Sequence, residues 1–230
     1  MDSSPKAQCT ADLIQICLFF CLWSCEHTKT HSHRCTTQFR FRDIQFHNAA
    51  GVIPADDCDN TFLEAWATTL FLYTHKNGVH RESTSMEATD LQHGDAICAS
   101  AYRFIHLRSN DTAPDTPIYT YYPSHDSIPS SISSRHITTT LRITTQKLGF
   151  QKLGFFPHKI GYHSLRSGGA MTLHLAGVLE HTIKIIGRWQ SDAFLIYLQG
   201  QITTFTQGVA AAMAKVRWFK HTIAPNISHL

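Results

Sequence analysis

An apolar run near the start of the chain, ADLIQICLFFCLWSC at residues 11–25, places the strongest restriction on the fold. Asp12 is its only charged residue. A helix that crosses a bilayer needs roughly 20 consecutive apolar residues, so this run is too short to span a membrane. We therefore predict a buried helix over 11–25. A signal-peptide core is the alternative, although a single lysine precedes the run and no small-x-small cleavage site follows it.

Charge is distributed unevenly along the 230 residues. Residues 1–100 hold 7 basic and 12 acidic side chains, whereas residues 101–230 hold 13 basic and 5 acidic ones. This asymmetry indicates a polyanionic partner for the second half. Five of the seven cysteines lie in the first 35 residues and none follows Cys98, which does not resemble a disulfide framework. We expect a reducing, intracellular compartment.

Hydrophobic periodicity predicts a mainly α fold with a small antiparallel β-sheet, an α+β class. Alternating apolar residues predict a strand over 37–47, with a slip near Asp43 that indicates a bulge. Asn77-Gly78 predicts a hairpin turn, and Gly177 a helix end. The tandem repeat QKLGFQKLGF receives no function. Helices are predicted at 96–108, 135–150, 163–176, 179–189, 191–198 and 203–219, and a short strand at 118–122.

The segment GYHSLRSGGAM, at 161–171, combines groups that suit an anion. His163 and Arg166 are three residues apart, so on a helix they share a face and can point at one ligand. Arginine presents a planar fork that binds phosphate through two hydrogen bonds. Gly168 and Gly169 each weaken a helix by about 1 kcal/mol relative to alanine, so we expect another backbone to approach closely there. The alternative for the pair is a capped structural helix.

The residues HSLRSGGA, AGV and IKIIGRWQSDAFLIYL resemble the catalytic domain of tyrosine recombinases, the phage-integrase family, and most of all the versions carried by eukaryotic mobile elements. The resemblance implies an integrase-like catalytic core of the DNA breaking-rejoining enzymes over 11–220, with tails at 1–10 and 221–230. The N-terminal DNA-clamping domain of the family is expected to be absent, as in a truncated or decayed copy. The implied partners are double-stranded DNA and a homotetramer on that DNA, with no membrane, and the location is nuclear if the source is eukaryotic.

The family pattern assigns roles to five residues of this chain. Tyr197 matches the nucleophile, Lys76 the lysine of a β-hairpin turn, and Trp189 the position that holds His or Trp. Attack by the Tyr197 oxygen forms a 3′-phosphotyrosine and releases a 5′-hydroxyl, which takes a proton from Lys76. Arg166, His163 and the Trp189 indole stabilise the charge on the phosphorane. No metal and no cofactor is implied.

One departure from the family pattern concerns its first arginine. The family places that arginine in a turn after the apolar helix, where this chain has CLWSCEH and Trp23 occupies the position. Tryptophan supplies neither charge nor a bidentate fork, and loss of one such donor typically lowers the rate by about 10²–10³. The resemblance thus implies site-specific recombination or integration impaired by Trp23. A catalytically inactive DNA-binding remnant is the alternative.

Plainer interpretations remain for several of these residues. Trp189 and Tyr197 also suit an apolar core, and Lys76 an exposed turn. A third functional hypothesis is a zinc-binding interaction module at residues 21–35, although the ligand spacing there fits no standard zinc motif. Its candidate ligands are Cys21, Cys25, His27, His31, His33 and Cys35.

Overall fold

Helices supply most of the secondary structure, and a small antiparallel sheet accompanies them. The computed structural model describes residues 4–29, 37–73, 82–89, 95–189, 191, 192 and 195. This combination of helices with a small antiparallel sheet confirms the predicted α+β class. The helices are α1 (Pro5–Phe19), α2 (Ser24–His27), α3 (Asp59–Leu63), α4 (Ala96–Arg108), α5 (Ser134–Leu148), α6 (Phe150–Leu153), α7 (His163–Leu175) and α8 (Glu180–Gly187). The strands are β1 (Ile44–Asn48), β2 (Gly51–Val52), β3 (Ala67–Leu72), β4 (Glu82–Glu87), β5 (Thr120–Tyr121) and β6 (Ser130–Ser131).

The apolar run forms helix α1, but its predicted bounds of 11–25 are wrong at both ends. The helix begins six residues earlier, at Pro5, where the ring suits a first helical position and Ser4 Oγ accepts a hydrogen bond from the third residue of the helix. It ends at Phe19 because the chain turns at Cys21, which has φ 47°. A second short helix, α2, then begins at Ser24.

The sheet has the strand order β2-β1-β3-β4, and all its pairs are antiparallel. The strand predicted over 37–47 begins only at Ile44, because Phe41–Asp43 forms a 3₁₀ turn in place of the predicted bulge. Strands β3 and β4 pair from Ala67 opposite Glu87 to Leu72 opposite Glu82, which confirms the predicted hairpin. Its turn residues Asn77-Gly78 lie outside the described residues.

Helix α4 packs between α1 and the sheet and has the predicted bounds of 96–108. Asp95 Oδ1 accepts a hydrogen bond from the Ile97 N–H at 2.7 Å and so caps its first turn. Phe104 of this helix lies in an aromatic cluster, with ring centroids 4.8 Å from Phe62 and 5.4 Å from Phe46. These contacts join α3, α4 and the sheet in one core.

The second half of the chain supplies α5, α7 and α8. Ser133 caps the start of helix α5, and Gly149 follows its last residue. Strand β5 pairs with β6, a strand that the sequence did not predict. Helix α7 ends before Gly177, whose φ of 78° favours glycine, as predicted. The helix predicted at 191–198 has only three described residues, and the one at 203–219 has none. Among the described helices, none has the length and hydropathy that a membrane crossing requires.

Candidate functional site

Helix α7 lies against the C-terminal end of α1, and Gly169 makes this approach possible. A Cβ atom at Gly169 would lie 2.2 Å from the Leu18 carbonyl oxygen and 3.0 Å from Cys21 Sγ. The predicted close approach of another backbone is therefore confirmed at Gly169. At Gly168 the nearest atom is Leu18 Cδ1 at 3.7 Å, an ordinary contact, so the prediction is wrong there. The packing brings Arg166 next to the chain segment that follows α1.

Arg166 lies between two tryptophan rings. Its guanidinium carbon is 4.0 Å from the ring centroid of Trp23 and 4.1 Å from that of Trp189. The side chain is 1% exposed, and its two terminal nitrogens donate to the backbone carbonyls of Cys21 and Gly187. Its Nε has no hydrogen-bond partner among the described residues. A guanidinium over an indole face gains cation–π energy, about 2 kcal/mol when water is excluded.

A second buried arginine stands beside the first. Arg188 donates to Glu26 Oε2 at 2.7 Å, and both side chains are almost fully buried. The same carboxylate oxygen accepts the Trp23 N–H at 2.7 Å, which fixes the start of α2. Burial lowers the pKa of Arg166 to about 10; the Arg188 charge adds to the effect and Glu26 opposes it. Two cations thus share one carboxylate, which leaves a surplus of positive charge.

His163 occupies the first position of α7 and is exposed. Its ring centroid is 6.1 Å from that of Trp23. The Trp23 indole therefore contacts His163 as well as Arg166. The structure brings four of the sequence positions together, namely 23, 163, 166 and 189. Tyr197 and Lys76 lie outside the described residues.

Sequence reasoning missed a buried hydrogen-bond chain behind Trp23. His27 Nδ1 is 3.0 Å from the Trp23 carbonyl oxygen, which can only accept, so Nδ1 carries the proton. His27 Nε2 is then an acceptor, and the Tyr162 hydroxyl donates to it. Burial lowers the pKa of His27 to about 4. The chain holds the Trp23 backbone to α7, and no local pattern in the sequence marks the pair.

An open cavity of about 510 Å³ lies beside Trp189, between β4 and α8. Thr84 lines one side, and Lys184, Arg188 and Trp189 line the other. Lys184 Nζ is 2.8 Å from the Asp192 carboxylate. Strand β4 is the second strand of the hairpin whose connection contains Lys76. The cavity therefore lies between this hairpin and the Arg166 cluster.

The zinc hypothesis gains no support from the part of the chain that is described, which contains no group of three metal-ligating side chains. His27 makes the two hydrogen bonds given above, and Cys21 Sγ donates to the Leu18 carbonyl oxygen at 3.8 Å. Cys25 is a buried thiol that forms no disulfide, and the other candidates, His31, His33 and Cys35, lie outside the described residues.

Comparison with known protein families and with curated proteins gives no match to this chain. The function of this chain is therefore inferred from its own residues and from the geometry of the cluster around Arg166.

Proposed function

We propose that this protein is a tyrosine-recombinase-type domain that binds double-stranded DNA and whose strand-cleavage centre is closed by Trp23. The observation that carries the proposal is the cluster of positions 23, 163, 166 and 189. These positions are up to 166 residues apart in the sequence; spacing selected His163 and Arg166, and the resemblance added Trp23 and Trp189. Their meeting around one guanidinium supports the role of that guanidinium in a phosphate site.

The closed state of the centre follows from the geometry of Arg166. A phosphate needs N–H donors that are free and reachable by solvent. Here Trp23 and Trp189 cover both faces of the guanidinium, and two carbonyls occupy its terminal nitrogens. A phosphodiester can reach Arg166 only if one of the two indole rings moves, and Trp23 is the less buried of the two. In a working centre, a first arginine at position 23 would itself bind the phosphate.

Charge around α5 to α7 supports DNA as the partner. The chain has no Asp or Glu between Asp126 and Glu180, a stretch that contains six arginines and lysines. Among these, Arg142, Lys147 and Lys159 are exposed. A surface without acidic side chains attracts a phosphate backbone and releases its counterions on binding.

Slow strand cleavage is the second candidate function, and the cavity beside Trp189 favours it. The cavity offers Lys184 and Arg188 next to the Arg166 cluster. If DNA enters there and displaces the Trp23 ring, Tyr197 attacks the phosphorus and a phosphotyrosine forms. The bond to the 5′ oxygen then breaks, and that oxygen takes a proton from Lys76.

Two measurements test the proposal. The first is duplex affinity against salt: we expect log K to fall linearly as log of the salt concentration rises, and an affinity independent of salt would exclude phosphate binding. The second is incubation with a nicked suicide substrate, whose cleaved fragment diffuses away. The proposal predicts no covalent adduct from the wild-type chain, whereas an adduct that is lost in Tyr197→Phe would establish the second candidate.

A further inference from the structure

The tandem repeat QKLGFQKLGF builds an exposed aromatic surface that the proposed function does not use. Each copy ends a helix at a glycine with positive φ, Gly149 at 81° and Gly154 at 75°, and each glycine is followed by an exposed phenylalanine. A side chain is strained at such φ values, so the glycines allow the two sharp turns. The turns leave Phe150 and Phe155 at the surface.

Three aromatic rings on this surface are stacked. The ring centroids of Phe150 and Phe156 are 4.5 Å apart with an interplanar angle of 23°, and those of Phe156 and His158 are 5.8 Å apart at 13°. Phe150 is 49% exposed and Phe156 is 51% exposed. Phe150 and His158 are the end rings, and both are exposed, so a planar ligand can add to an end of the stack. We call Phe150, Phe156 and His158 the ring stack.

The charged residues nearest to the ring stack in the sequence are all basic. Lys147 and Lys159 flank it and are exposed, and the nearest acidic residues in the sequence are Asp126 and Glu180. An apolar protein partner would supply no counter-charge for these lysines. A strand of nucleotides matches both features, because its bases stack on aromatic rings and its phosphates pair with lysines.

We propose that the ring stack and its two lysines bind an unpaired strand of DNA through base stacking. Bases inside a duplex are stacked on one another, so only unpaired nucleotides can add to the rings. The choice of DNA over RNA rests on the proposed function, whereas the stacking itself does not. His158 is five residues before His163, so the strand would lie next to the candidate centre along the chain.

The test compares Phe156 variants of the full chain by fluorescence anisotropy, with a labelled single-stranded DNA of about 12 nucleotides. Phe156 is the central ring and holds both end rings in line. Stacking contributes about 1–3 kcal/mol per base, so Phe156→Ala, which removes this support, should weaken binding about 5- to 150-fold. Phe156→Leu should weaken it equally because the ring is lost, and Phe156→Tyr should bind like wild type. Ile143→Ala is the matched control, since Ile143 is 49% exposed on α5 and outside the ring stack.

Lysine variants test the ionic part of the contact. Lys159→Gln should lower the slope of log K against log salt by about 0.7, the value for one phosphate of a single strand. Lys6→Gln, which removes an exposed lysine of α1 outside the ring stack, should leave this slope unchanged. An unchanged slope in Lys159→Gln would overturn the assignment of the strand to this surface.

Other outcomes would overturn the stacking proposal. If Phe156→Leu binds the strand as tightly as wild type, the rings do not stack on bases. If sedimentation shows a dimer that Phe156→Ala dissociates, with strand affinity unchanged, the surface docks a second copy. Ring-dependent binding of an RNA strand but not of DNA would contradict the choice of DNA.

The blunt duplex of the same sequence separates this inference from the proposed function. We expect Phe156→Ala to bind that duplex like wild type. Loss of duplex binding by the wild-type chain, together with ring-dependent strand binding, would refute the proposed function and leave this inference standing.

Discussion

Arg103 and Arg166 are equally buried, at 1% exposure, and each donates to two backbone carbonyls, but their surroundings differ. Arg103 uses its Nε and a terminal nitrogen to bind the carbonyls of Ile118 and Thr120, which joins α4 to β5. The Asp12 carboxyl of α1 lies within range of its charge. Arg103 therefore ties α4 to the β5 segment, and its charge favours the ionised form of the Asp12 carboxyl.

Among the described residues, no carboxylate is hydrogen-bonded to Arg166. Glu26 is paired with Arg188, whose positive charge works against that of Arg166, and two indole rings take the place of an acid. Buried cations that serve only stability are usually paired, because desolvation is otherwise uncompensated. The difference supports the proposed phosphate site at Arg166, whereas the contacts of Arg103 are supplied by the chain itself.

Removal of each arginine gives the largest difference between the two sites. Arg103→Met should lower the free energy of unfolding by about 3–5 kcal/mol, the cost of breaking a buried polar network. Arg166→Met should cost less than about 2 kcal/mol, since relief of the Arg188 repulsion offsets the lost donors and a methionine packs well between indoles. Urea unfolding of both variants gives the two losses of unfolding free energy and shows which is larger. An equal or larger cost for Arg166→Met would contradict the contrast.

Acid affects the two regions in opposite directions. Burial raises the pKa of Asp12 to about 7 from 3.8, so its contribution to stability is complete below pH 3.8 and is lost as pH rises through 7. Burial lowers the pKa of His27 to about 4 from 6.5, so its contribution is complete above pH 6.5 and is lost as pH falls through 4. We expect Asp12→Asn to stabilise the protein at pH 8, by at most about 4 kcal/mol.

The acid side of the same experiment uses His27→Gln. Its unfolding free energy should fall less than that of wild type between pH 6.5 and 4, by on the order of 3 kcal/mol. His106, whose pKa burial also lowers to about 4, is retained in both variants and serves as the internal reference. If the unfolding free energies of wild type and His27→Gln change with pH in parallel, the stability of the Trp23 region does not depend on a neutral His27 imidazole.

A glycine pair tests the contact that positions Arg166, with the smallest expected effects. Gly169→Ala should destabilise by about 1–3 kcal/mol, because the new methyl meets the Leu18 carbonyl at 2.2 Å. Gly168→Ala should stabilise by up to about 1 kcal/mol through helix propensity, since its nearest neighbour is a side-chain methyl at 3.7 Å. Thermal unfolding of the two variants gives both values. Equal effects would mean that α7 does not approach α1 as closely as described.

Local patterns predicted the elements whose ends are set locally. Helix α4 has its predicted bounds because Asp95 caps it, and the hairpin of β3 and β4 follows from an apolar run that ends at Asn77-Gly78. The end of α1 was mispredicted because it is set by a backbone turn at Cys21, which has φ 47°. Apolar residues continue through Cys21 and Leu22, so hydrophobic periodicity does not show where the helix ends.

Only part of the candidate site can be compared with the prediction, because Lys76 and Tyr197 lie outside the described residues. The resemblance pointed to positions 23, 163, 166 and 189, and they lie together. Two facts could not be read from the sequence, namely that Arg166 is enclosed by indoles and that Arg188 pairs with Glu26 across 162 residues. Both depend on the packing of α7 against α1, for which the glycine pair was the only signal.

The central claim, that Trp23 closes a strand-cleavage centre, is tested most directly by Trp23→Arg on the nicked suicide substrate. The account predicts covalent adduct formation at least about 10²-fold faster than in wild type, since a missing donor is restored and the indole cover is removed. The double variant Trp23→Arg/Tyr197→Phe should form none, and Trp23→Phe, which keeps a ring, should behave like wild type. No adduct from a folded Trp23→Arg chain that still binds duplex DNA would contradict the claim.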